Sequence, residues 1–285
     1  MKRIVDIHNH YIYDVDDGSK SLEMSMEMLR QAADRGITDI VATPHQYEID
    51  QADPEHKRQE KIIKHFKILQ NEVKKENLPI TLYLGSELYF TPLISNAPNV
   101  PYFTYEDKKK YALIEFSMNW KPSNHDLLFY SLIEQDCTPV LAHPERYVFF
   151  WEFADEIMRL VRMGTLLQIN GGSLLGNYGV EAQYLSHLLL RKGLAHAISS
   201  DAHNPEWCDG FNLPLAVEMC KKKYPDLNID ELISDNPWKI LQGDTLDIDD
   251  EPTYHFNTEL EYKLWRRYEL KHKLFGLGNK IKRPK

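Results

Sequence analysis

The sequence has no apolar run of the roughly 18 residues or more that a membrane span requires. Its first residues, Met1-Lys2-Arg3-Ile4-Val5-Asp6, enter a strand pattern with no signal-peptide core. The expected location is therefore cytoplasmic. Cysteine is scarce: Cys137, Cys208 and Cys220 are too few and too scattered for a disulfide framework or a thiolate zinc site. A thiol-based phosphatase also needs an arginine six positions after its nucleophile, and those positions hold His143, Pro214 and Asp226. A cysteine-phosphoenzyme mechanism is excluded. Short-period repeats and low-complexity linkers are missing too. Basic charge is depleted from most of the chain: residues 255–285 carry nine Lys/Arg against three Asp/Glu, leaving 25 basic and 40 acidic residues in 1–254. An acidic body argues against extended nucleic-acid binding.

Apolar residues suffice for a sizeable core at 42% of the chain, and 285 residues match one α/β barrel or two small domains. Val/Ile/Leu-rich runs at 3–7, 37–43, 80–84, 111–116, 138–142, 165–169 and 195–199 alternate with helical patterns. The first helix is one that Ser21 caps and Gly36 ends; others follow at 54–77, 123–135, 152–162 and 180–192, with a closing helical region over 211–242. Continuous apolar strands suit a parallel sheet buried on both faces. Seven β-then-α units favour a barrel over an open doubly wound sheet. An acidic hinge at 244–251 divides a domain at 1–243 from a C-terminal extension at 244–285. There Leu260, Leu264, Tyr268, Leu270 and Leu274 recur near helical spacing, with Lys263, Arg266, Arg267, Lys271 and Lys273 between them. Such a basic amphipathic helix more often docks on its own domain or another subunit than on a membrane surface.

The strand ends carry the chemistry. They read Asp6-Ile7-His8-Asn9-His10, Thr43-Pro44-His45, Gly85-Ser86-Glu87, Ile114-Glu115-Phe116, Ala142-His143-Pro144-Glu145-Arg146 and Ser199-Ser200-Asp201-Ala202-His203. Six of seven expected strands thus deliver a His, Asp or Glu at the end where α/β barrels assemble active sites. Any one of these residues is most simply a solvated loop residue or a cap, and H-x-H alone is weak. Five of the twelve histidines fall there, however, although strand ends are a small part of the chain. Alternate strand residues share a face, so His8 and His10 can reach one ion, as can Asp201 and His203. Imidazole and carboxylate without thiolate suit manganese, iron or zinc. With Asp17 from the Asp16-Asp17-Gly18 turn, the candidates are His8, His10, Asp17, His45, Glu87, Glu115, His143, Asp201 and His203. Nine ligands exceed what one ion uses, so two or three ions sharing carboxylates are expected. Arg146 is either a guanidinium fork for phosphate or the ion-pair partner of Glu145 or another acidic neighbour. The aromatic run Tyr147, Phe149, Phe150 and Trp151 is either packing, a subunit interface, or a wall for a substrate ring.

The stretches DIHNHYIYDVDDGSKS, ITDIVATPH, LGSELYFTP, YALIEFSMN, TPVLAHPERY, AISSDAHN and DNPWKIL, in this order over about residues 4–243, resemble the PHP (polymerase and histidinol phosphatase) superfamily. More closely, they resemble its bacterial tyrosine-protein phosphatases of the CpsB/CapC type. The resemblance implies a distorted seven-stranded (β/α) barrel with three ions, usually manganese. It assigns His8, His10, Glu87 and Asp201 to one ion, Glu87, Glu115 and His143 to a second, and Asp17, His45 and His203 to the third. Arg146 is implied to be the catalytic residue that binds the phosphoryl group, and the implied partner is the tyrosine-rich tail of a membrane-associated kinase in capsule or exopolysaccharide synthesis. The loop 204–211 lacks a basic residue that relatives commonly place there. Two other readings stay open: a small-molecule phosphatase of the histidinol-phosphate kind, and a regulatory scaffold that binds metal and kinase. A nuclease module fits the acidic body less well.

Overall fold

The computed structural model describes residues 3–46, 57–152, 154–206 and 210–246. Cys208, the start of the second expected helix, part of the loop 204–211 and nearly all of the C-terminal extension lie outside the described residues. In chain order the elements are β1 (Val5–Asp6), α1 (Leu22–Asp34), β2 (Asp39–Ala42), β3 (His45–Gln46), α2 (Lys57–Lys75), β4 (Thr81–Leu84), β5 (Glu87–Tyr89), β6 (Tyr111–Glu115), α3 (His125–Ile133), β7 (Thr138–Ala142), α4 (Val148–Glu152), α5 (Asp155–Arg162), β8 (Leu166–Asn170), α6 (Gly171–Leu175), α7 (Val180–Arg191), β9 (Ala197–Ser199), α8 (Leu213–Lys223) and α9 (Asn236–Gln242).

Every strand pairing is parallel, in a three-stranded sheet β1-β2-β4 and a six-stranded sheet β3-β5-β6-β7-β8-β9. The result is a mixed α/β fold of parallel sheets. Two strands run on past their expected ends at 43 and 84 as short further pieces, β3 and β5. Pro44, which has no N–H to give the ladder, separates β2 from β3, and Gly85-Ser86 separates β4 from β5. Beyond the last strand pair, Asn9 and Ala202 form a parallel bridge. Asp201 N donates to His8 O and His10 N to Ala202 O, both at 2.8 Å. The Asp6 carboxylate fastens the same junction, accepting from Ser200 N at 3.0 Å and Ser200 Oγ at 2.5 Å.

Burial on both faces explains the continuous apolar strands. One core cluster takes Val5, Val41, Leu113, Val140, Leu166 and Ala197, from six different strands, and is plugged by Ile240 and Leu241 of α9. Their strand neighbours point the other way: Ile114, Leu141, Leu167 and Ile198 pack in a second cluster, and Ile40, Leu82 and Leu84 in a third. In α2, Ile62, Phe66, Leu69 and Val73 follow the helical three-and-four spacing and bury that face in the third cluster. The helix starts with Ser21 as read from sequence: its side chain accepts from Met24 N in α1.

The expected helix 152–162 is α5, with the separate short α4 ahead of it, and the closing region divides into α8, a π-helical turn at Glu231–Asp235 and α9. The expected hinge begins as packed chain: Asp244 O accepts from Tyr111 Oη at 2.7 Å, and Leu246 is buried in the inner cluster. Tyr147 and Phe150 are fully buried in the core, so packing accounts for these two rings. Burial pushes the Cys137 and Cys220 thiols up to about 12, which makes both inert as nucleophiles.

His196, beside β9, is buried and accepts from Leu167 N at 3.0 Å through Nδ1. Burial lowers its pKa to about 4. A depressed histidine contributes stability above its unfolded pKa of about 6.5 and loses it as pH falls toward the folded value. The expected loss between those limits is about 3 kcal/mol. His196→Asn, which keeps an acceptor but does not titrate, should flatten the fall of the urea midpoint from pH 6.5 to 4. Parallel curves for the two proteins would contradict this account.

Candidate metal centre

The nine sequence candidates come together at the C-terminal ends of the strands. Glu87, at the start of β5, is the centre: its Oε2 lies 3.2 Å from His8 Nε2, 3.3 Å from His10 Nε2 and 3.0 Å from His45 Nδ1. Its Oε1 lies 3.1 Å from His143 Nε2. Asp201 Oδ1 is 3.4 Å from His8 Nε2 and 3.5 Å from His203 Nδ1. Asp17, with a side chain 65% exposed, closes the rim with Oδ1 at 3.3 Å from His45 Nε2 and 3.4 Å from His203 Nε2. Four groups of donor atoms lie within 4.8 Å of one another: His10/Asp17/His45/His203, His8/His10/Asp201, His8/Glu87/His143 and His45/Glu87/Glu115. These groups interlock more than the implied sets do, since His8, His10, His45 and Glu87 each belong to two.

Strand alternation predicts the file of one donor. Within β6, Leu113 and Glu115 are two steps apart, so the inward apolar residue below places an inward carboxylate above. Alternation is not what joins His8 to His10, because β1 ends at Asp6. The Asn9–Ala202 bridge keeps that segment extended instead. His143 and Asp201 have φ of 31° and 54°. This left-handed backbone is costly for such residues and typical of functional sites.

Several residues that hold the donors escaped the sequence reading. His8 Nδ1 faces Gln168 Oε1 at 2.8 Å. Gln168 Nε2 donates to Ile169 O and Asn170 Oδ1, and Asn170 Nδ2 to Asp201 Oδ2 at 2.7 Å. The expected strand with no ligand thus supplies two orienting groups. Their signal was a Gln and an Asn in an otherwise apolar LLQIN strand. Asp16 Oδ2 takes His10 Nδ1 at 2.8 Å and His45 N at 3.1 Å. Gly18 lets this turn lie on His10, since a Cβ there would sit 2.2 Å from His10 O. Arg58 Nη2 donates to the carbonyls of Val15 and His45, tying the turn to the second ligand loop.

The electrostatics follow from crowding. Burial opposes charge on His8, yet Glu87 and Asp201 push it up to about 9. Burial likewise opposes His45 and His203, but Glu87 and Asp17 carry the first to about 12, and Asp17 and Asp201 the second to about 9. Glu87 stays well below the carboxylate range, because His8 and His45 outweigh the burial that would neutralise it. Glu115 goes the other way: burial and then Glu87 raise it to about 8. Burial lowers His143 to about 4.

This donor set fits divalent metal ions. With the Nδ1 protons of His8 and His10 given to Gln168 and Asp16, the two Nε2 atoms face one space, 3.3 Å apart, where a cation that displaces their protons would meet both lone pairs. Glu87 Oε2, buried and without a hydrogen-bond donor, points into the same space. A cation there satisfies all three.

Arg146 stands beside this cluster. Its Nη1 donates to Asp201 Oδ2 at 2.7 Å, with the side chain 25% exposed, and its guanidinium stacks 4.4 Å from the centre of the Tyr178 ring. Glu145 is not its partner: that carboxylate is buried and accepts from Asn170 N at 2.9 Å.

The family model for capsular polysaccharide synthesis, CpsB/CapC, matches residues 4–242. The chain belongs to the CpsB/CapC family. It is 38% identical over 205 residues to the putative tyrosine-protein phosphatase CapC of Staphylococcus aureus, covering 70% of this chain and 77% of that relative. It is 30% identical over 244 residues to the tyrosine-protein phosphatase CpsB of Streptococcus pneumoniae, covering 84% and 98%. The fold matches a crystal structure from the pair YwqE of Bacillus subtilis and CpsB of Streptococcus pneumoniae, described as unique metal-dependent tyrosine phosphatases, with TM-score 0.78, 28% identity, and coverage of 88% of this chain and 100% of that one. A phosphotriesterase homology protein from Escherichia coli, with phosphate in its active site, shares the fold at TM-score 0.53 and 12% identity. No helix among the described residues is long and apolar enough to cross a membrane.

Proposed function

We propose that this CpsB/CapC protein is a metal-dependent tyrosine-protein phosphatase of capsular polysaccharide synthesis, built on a distorted seven-stave (β/α) barrel. The observation that carries this reading is nine interlocked imidazole and carboxylate donors with Glu87 at their centre and one partly exposed guanidinium beside them. The names of the relatives support it. Three ions are the occupancy in this reading, manganese as the family resemblance implies, which the nitrogen-and-oxygen donor set admits. His8, His10, Glu87 and Asp201 would hold one, Glu87, Glu115 and His143 another, and Asp17, His45 and His203 the third. The substrate is a phosphotyrosine protein, the tail of a membrane-associated kinase, met in the cytoplasm.

Bound ions supply a water of lowered pKa and neutralise charge on the phosphoryl oxygens. The chain's own part is orientation. Gln168 and Asp16 fix the rings of His8 and His10, and Asn170 fixes Asp201. Arg146 spends one donor on Asp201, and its remaining N–H groups are free in direction to meet a phosphoryl oxygen. Phenolate leaves readily, so the reaction makes little demand for a general acid. Chelation should remove turnover of p-nitrophenyl phosphate, and manganese should restore it; full activity in protein shown by elemental analysis to be metal-free would refute the reading.

A further inference from the structure

A groove of about 480 Å³ opens on the same face as the metal centre. Tyr89, at the end of β5, and Phe90 and Pro92, just after it, form one side. Trp120 and Pro122, from the loop after β6, form the other with Leu127 of α3. None of the lining residues is charged. Trp120 is 77% exposed and Leu127 67% exposed. Two large apolar side chains left in water beside one groove mark a contact surface.

Its position says what the contact is. Tyr89 lies two residues past Glu87 on β5, and the lining Ser117 two residues past Glu115. Tyr89 stands opposite Glu115 in the β5–β6 register, and Phe90 N donates to Glu115 O at 2.8 Å. Two strand steps are about 7 Å and neighbouring strands about 4.8 Å apart, so the groove wall starts within one residue pair of two proposed ligands. An extended polypeptide advances at the same rate and turns alternate side chains to the same side. With a phosphotyrosine at the metal centre, the residue two positions away reaches this wall.

We propose that the groove is a subsite for an apolar side chain of the substrate polypeptide, two residues from the phosphotyrosine. This rests on the phosphatase reading above. A charged side chain at that position would lose hydration with no partner in the lining, so the subsite selects by composition as well as by size. An aryl phosphate without a polypeptide does not reach it.

The test compares two synthetic phosphotyrosine peptides, with leucine or with aspartate at both positions two residues from the phosphotyrosine, alongside p-nitrophenyl phosphate, on the manganese-loaded full chain. Wild type should prefer the leucine peptide by about tenfold in kcat/KM, mostly through KM. Trp120→Ser and Leu127→Ser should each erase most of that preference while leaving p-nitrophenyl phosphate turnover unchanged. Equal use of the two peptides by a wild type that turns over p-nitrophenyl phosphate overturns the subsite alone. Failure to turn over any of the three esters overturns the phosphatase reading with it. A change of oligomeric state in Trp120→Ser by light scattering assigns the groove to a second copy of the chain, and the subsite is then abandoned.

Discussion

Glu87→Gln is expected to lower kcat on p-nitrophenyl phosphate by on the order of a thousandfold, and to lower bound metal with it. The side chain is fully buried and meets four imidazoles, those of His8, His10, His45 and His143. Glutamine keeps the volume, so the packing around β5 survives. It removes the charge that opposes the ions, and it puts amide donors where ligands must accept. A site metal is worth several kcal/mol of transition-state stabilisation, which corresponds to this factor. Asp17→Asn offers an internal comparison, because Asp17 sits at the exposed rim and, among the described residues, meets two imidazoles, those of His45 and His203. It should lose less metal than Glu87→Gln. Elemental analysis after dialysis, paired with turnover and circular dichroism, checks both. Wild-type metal content in folded Glu87→Gln would remove Glu87 from the ligand set.

Arg146→Ala should show the opposite pattern: kcat/KM for phosphate esters lower by roughly 100- to 1000-fold, as for loss of one transition-state donor, with metal content intact. The guanidinium is held from two sides, by Asp201 and by the face of Tyr178. Its removal leaves Asp201 with more negative charge for metal, so the metals bind at least as well. Inorganic phosphate, as a product inhibitor, should weaken alongside. Arg146→Lys should recover only part of the loss, since an ammonium restores charge but not the planar fork. Unchanged phosphate inhibition in Arg146→Ala would make Arg146 a structural partner of Asp201 and nothing more.

The parts legible in the sequence were those written in one dimension. The gathering of eight donors followed from their recurrence after strands, with Asp17 added from its turn, and the parallel, doubly buried strands followed from their apolar runs. The Ser21 cap was legible because a cap is local. Other features depend on distant parts of the chain meeting. Gln168 and Asn170 are unremarkable polar residues until β8 lies beside β7 and β9. Asp16 and Asp17 are neighbours in one turn, yet one grips His10 from below and the other faces His45 and His203. Composition could not say which acidic neighbour Arg146 would meet, and in the fold it is Asp201, 55 positions away in the chain. Strand breaks at Pro44 and Gly85 were visible as residues, but not as interruptions of one continuous stave.

The Asn9–Ala202 bridge joins chain segments nearly two hundred positions apart. As the polypeptide leaves the ribosome, His8, His10 and Glu87 emerge long before Asp201 and His203. The early part can collect no more than a partial donor set, and the bridge that keeps residues 8–10 extended does not yet exist. On the proposed reading, loading of the complete centre must therefore wait until β9 and the residues after it have been made and seated. A nascent or prematurely terminated chain is thereby kept from acting as a phosphatase.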